Sequence, residues 1–101
     1  MSSAQVHPPQ NTLTIPCIIN RASLGYADYV FVILHELASR SPKVAWVPRT
    51  DILVEEQPLS GDQLRARLRV RIEREVADTY EVVLLNEGQE ETITVSKATA
   101  Q

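Results

Sequence analysis

The stretch LRARLRVRI, Leu64 to Ile72, alternates apolar and basic residues without a break. A period of two is the mark of a strand. Leu64, Ala66, Leu68, Val70 and Ile72 then face one way, and Arg65, Arg67, Arg69 and Arg71 face the other. Four guanidinium groups in a row cannot enter a core, so this reading demands a sheet with one dry face and one wet face. The alternation fails at Arg74, which would point inward unless a bulge intervenes.

A helix competes for the same residues. Leu64, Leu68, Ile72 and Val76 make an i, i+4 row, Ser60 and Gln63 match a capping box, and Arg69–Glu73 and Arg71–Glu75 become i, i+4 ion pairs. Val70 then falls among charges, while Arg65 and Glu75 interrupt the apolar stripe. The strand accounts for more of the pattern.

The segment RASLGYADYVFVILHELASRSP predicts a long amphipathic helix. With 100° per residue, Leu24, Tyr26, Val30, Phe31, Ile33 and Leu34 fall in one half of the wheel, together with Ala27, Leu37 and Ala38. Ser23 is placed as the N-cap, and Pro42 stops continuation. So wide an apolar face calls for a sheet beneath it.

TLTIPCIIN, Thr12 to Asn20, reads as a strand whose Pro16 belongs at an edge or a bulge. KVAWV and DILVEE are two further short strands. TYEVVLL, NEGQE and ETITVSK form a hairpin, with Gly88 supplying the permissive turn position. TYEVVLLNEGQEETITV resembles the opening hairpin of plant-type iron–sulfur ferredoxins. The cysteine cluster that would follow in that family is absent, so the resemblance implies a hairpin and no function.

The expected fold class is therefore α+β. An N-terminal strand and one long helix pack on a mainly antiparallel sheet, similar to cystatin-like or hot-dog-like meanders. The alternative is a ferredoxin-like sandwich with a second helix at 61–77. Residues 1–11 are expected to be a flexible N-terminal arm, 12–97 a single domain and 98–101 a tail. A chain of 101 residues suits one domain, and 44% apolar content is ordinary for a globular core.

Several function classes recede on composition. The net charge of −3 argues against a dedicated nucleic-acid binder. The lone Cys17 cannot form an internal disulfide and reads as a small buried apolar residue. MSSAQVHPPQN lacks the basic and apolar regions of a secretory leader, and no apolar run reaches the ~20 residues of a membrane span. A soluble, cytoplasmic protein is expected. His35-Glu36 lacks the second histidine of a zinc motif, since Ser39 stands there. Asp28, His35 and Ser39 are too far apart on one helix to form a triad. No glycine-rich phosphate loop exists, and no metal or cofactor is implied.

The reading that remains is a non-enzymatic interaction or assembly module that self-associates. Trp46 and Tyr29 are its candidate partner contacts, because aromatic residues are enriched in interface cores. The alternative is a nucleic-acid or anionic-ligand binder that uses Arg65, Arg67, Arg69 and Arg71, whose ~6.6–7 Å spacing on a strand approaches that of successive phosphates. The simplest account of the arginine row is a solvated sheet face, with Glu55 and Glu81 as cross-strand partners. A third reading is an enzyme of unknown class with a pocket between helix and sheet, favoured if His35 or Cys17 opens into an apolar cleft.

Overall fold

The computed structural model describes residues 11–25, 28–37 and 41–101, and for residues 56–60 the backbone alone. Its elements are β1 (Thr12–Asn20), a 3-10 turn (Arg21–Gly25), β2 (Tyr29–Leu34), β3 (Lys43–Pro48), a second 3-10 turn (Arg49–Asp51), β4 (Ile52–Ser60), β5 (Gln63–Val76), β6 (Thr79–Asn86) and β7 (Gln89–Ser96). All strand pairs are antiparallel, in the order β3-β2-β1-β5-β6-β7, with β4 also on β5. The sheet curls. Glu87 N–H donates to the Trp46 carbonyl (2.8 Å) and Leu37 N–H to the Thr94 carbonyl (2.9 Å), so the β2–β3 end meets the β6–β7 hairpin.

This architecture corrects the expected α+β class. Among the described residues there is no long helix, so neither the cystatin-like, the hot-dog-like nor the ferredoxin-like arrangement holds. The segment read as the long helix holds a 3-10 turn and then β2. Residues 26, 27 and 38–40 of it lie outside the described residues.

The physical reason lies in YVFVIL. Val30, Val32 and Leu34 point into the core, and Tyr29, Phe31 and Ile33 point out. Both sets are apolar, so the run fits a period of 3.6 as well as a period of two. Its β-branched and aromatic side chains decide for the strand. Ser23 caps no long helix. Its buried hydroxyl donates to the Asn20 carbonyl (2.7 Å) and accepts from the Phe31 N–H (3.3 Å), pinning the turn to β2.

β5 organises the molecule. Along one edge, Gln63–Arg71 pairs with all of β1. The other edge is shared end to end: β4 takes Gln63–Leu68 and β6 takes Arg71–Val76. The alternation of the sequence is realised, with Leu64, Ala66, Leu68 and Val70 buried and the arginines outside. The second helix considered at 61–77 is thus a strand. The register shifts between Ile72 and Arg74. That bulge at Glu73 keeps Arg74 outside, where it pairs with Glu81 at 2.9 Å.

The core lies inside the curl. Ile15, Ile19, Val30, Val32, Val47, Leu68 and Val82 are its largest fully buried side chains, each contributing about 1.5–3 kcal/mol by burial. At the β6–β7 turn both Glu87 (φ 54) and Gly88 (φ 83) adopt left-handed backbone, which matches the twist of a two-residue hairpin.

Candidate functional site: the outer face of β1, β2, β3 and β5

Cross-strand register carries one row of side chains over four strands on the solvent side. Val44 lies opposite Ile33, Ile33 opposite Ile18, and Ile18 opposite Arg65. Beside it, Trp46 lies opposite Phe31, the two rings 5.3 Å apart and inclined at 56°. Tyr29 follows at the far end of β2, 40% exposed, and Val44 is 49% exposed. On the other side of the arginines, exposed Leu53 of β4 stands opposite Arg67. The arginine row, Trp46 and Tyr29 therefore share the outer face of one sheet.

A groove interrupts this face at Pro16. Thr14 turns its backbone away from β5: its N–H donates to the Gln101 carbonyl (2.7 Å), and Gln101 N–H donates back to the Thr14 carbonyl (2.9 Å). Residues two apart on a strand hydrogen-bond toward the same neighbour. Pro16 therefore faces the same edge with no N–H to offer, and β1 pairs with β2 only through Ile18 and Ile19. A groove of about 530 Å³ opens there, bordered by Pro16, Ile18, Ile33, His35, Arg65 and Arg67.

Internal contacts divide the arginines. Arg67 donates from Nε to the Thr14 hydroxyl (2.8 Å), and from one terminal nitrogen to the Thr14 carbonyl (3.0 Å) and the Thr99 carbonyl (2.7 Å). Arg71 pairs with Glu90 at 3.4 Å. Arg69 lies near Asp51, whose carboxyl is raised by burial and held back by that guanidinium. Among the described residues neither Arg65 nor Arg69 forms an ion pair. Glu81 is engaged by Arg74, and Glu55 borders the groove without an ion pair to Arg65.

Cys17 and His35 both border the groove. Burial pushes the Cys17 thiol up to about 12, against the lowering influence of Arg67 and with a smaller raising influence from Glu55. A thiol so protonated is a poor nucleophile. No cluster among the described residues could hold a metal ion. No helix among them is long and apolar enough to cross a membrane.

Sequence reasoning missed Ile18, Ile33 and Val44. For Ile33 the signal was present in YVFVIL, where a strand apolar on both faces leaves apolar side chains on its outer face. No family model, curated protein or solved structure matches the chain.

Proposed function

We propose that the protein is a non-enzymatic interaction module that pairs with a second copy of itself through this outer face. The observation that carries the reading is the row Val44–Ile33–Ile18–Arg65, an apolar strip on the solvent side of a sheet that ends in a cation with no ion pair among the described residues. Contiguous apolar surface of this kind marks an interaction site. Arginine and aromatic residues beside it are the residue types enriched at such sites. The strip is narrow, which suits a weak, concentration-dependent dimer at the low end of interface size. Sedimentation velocity from low micromolar to near-millimolar protein tests this. A monomer–dimer transition is expected, shifted to higher concentration in Val44→Asp. A monomer across the whole range overturns it.

A further inference from the structure

We infer that the carboxylate of Glu91 latches the outer edge of β3, and that protonating it releases this edge while the rest of the sheet stays folded. Among the described residues β3 pairs with a strand on one side only, β2. On its other side the β6–β7 turn stands in for a strand at a single residue. Asn86 Oδ1 accepts from the Trp46 N–H (2.9 Å), and the Glu87 N–H donates to the Trp46 carbonyl (2.8 Å). That is the acceptor and donor a neighbouring antiparallel strand would present.

The side-chain half of this pair depends on Glu91. Asn86 Nδ2 donates to Glu91 Oε2 (3.1 Å), which leaves Oδ1 as the amide atom turned to Trp46. Glu91 Oε1 is buried and meets the Lys43 ammonium. The contacts therefore run from Trp46 through Asn86 and Glu91 and return to β3 at Lys43. Along their strands Lys43, Asn86 and Glu91 share the parity of buried Ala45, Leu84 and Ile93, so the circuit lies at the end of the core.

Charge decides the sense of these bonds. An ionised carboxylate only accepts, so it draws the amide nitrogen of Asn86. A protonated carboxyl also donates and competes for Asn86 Oδ1, and in the same step Lys43 loses its counter-ion. The Lys43 ammonium holds the Glu91 carboxyl below its ordinary value of 4.5; burial opposes this, and the Asn86 amide adds to it. The latch is therefore closed above 4.5 and opens as pH falls through the lower, native value. On the same hairpin, Glu90 is paired with Arg71 and Glu87 is exposed at the turn.

The test is amide hydrogen exchange of the full chain, expressed as protection factors from about pH 7 to about pH 3. Dilute protein keeps the result separate from the self-association proposed above. The Trp46 and Glu87 amides report the latch, and the Ala66 and Leu68 amides of β5 report the sheet. Glu91→Gln keeps the shape and, like the protonated acid, carries both a donor and an acceptor. At neutral pH it is expected to lower protection at Trp46 and Glu87 by on the order of tenfold, with Ala66 and Leu68 unchanged. In the wild type the same two amides should lose protection below the ordinary carboxyl value, ahead of the sheet, and Glu91→Gln should abolish that pH dependence.

Protection at Trp46 that the substitution leaves unchanged overturns the latch. Loss at all four amides together, at any pH, also overturns it, because the edge would then open only with the whole sheet.

Discussion

The Arg67 guanidinium holds Thr14 by two hydrogen bonds, one to its hydroxyl and one to its carbonyl, and reaches on to the carbonyl of Thr99. It thereby fastens the segment after β7 to β1, across the edge that Pro16 leaves without a donor. The contact needs a planar fork, so lysine cannot replace it. Arg67→Lys is expected to cost about 1.5–3 kcal/mol in urea unfolding, the scale of hydrogen bonds made by a charged donor. In hydrogen exchange the Gln101 amide should lose protection before the β5 amides do. Unchanged stability would show that the segment is held by its backbone bonds alone.

Cys17 should be inert in the native protein. At about pH 8 a thiol reagent should react only at the rate of unfolding, because the native thiol is buried and stays protonated. The sign of the pH effect follows from the raised value. Below the ordinary thiol value of 9.0 both states keep the proton, and Cys17 adds no pH dependence. Between that value and about 12 the unfolded chain loses the proton and the native chain retains it, so stability falls as pH rises. Wild type minus Cys17→Ala in alkaline urea titrations isolates this contribution. A flat difference would contradict it.

Ala77 sits in the β5–β6 turn at φ 51, a left-handed backbone that costs a residue with a Cβ about 1–2 kcal/mol. Glycine removes that cost but makes the unfolded chain more flexible, at about 0.4–1 kcal/mol. Ala77→Gly is expected to stabilise by roughly 0.5–1 kcal/mol in thermal unfolding, the balance of those two effects. A destabilised variant would contradict it.

The β5 alternation and the β6–β7 turn were legible because each is local: a period of two in LRARLRVRI, and a glycine between two strand-like runs. β2 was misread because its two faces are equally apolar, so periodicity alone does not separate strand from helix, and its β-branched and aromatic content was given too little weight. The arginines and Trp46 were picked individually, yet nothing in the chain order says that they share a face. That follows from register across β1, which brings Ile18 between Arg65 and Ile33. The structural role of Arg67 was invisible for the same reason, since its partners Thr14 and Thr99 are 53 and 32 residues away.

The most direct test of the self-association face is a dilution series followed by backbone amide NMR. Shifts that move with protein concentration are expected at Ile18, Ile33, Val44 and Arg65 and to be absent along β7. Concentration-independent spectra, or shifts confined to the β4 edge instead, would contradict the account.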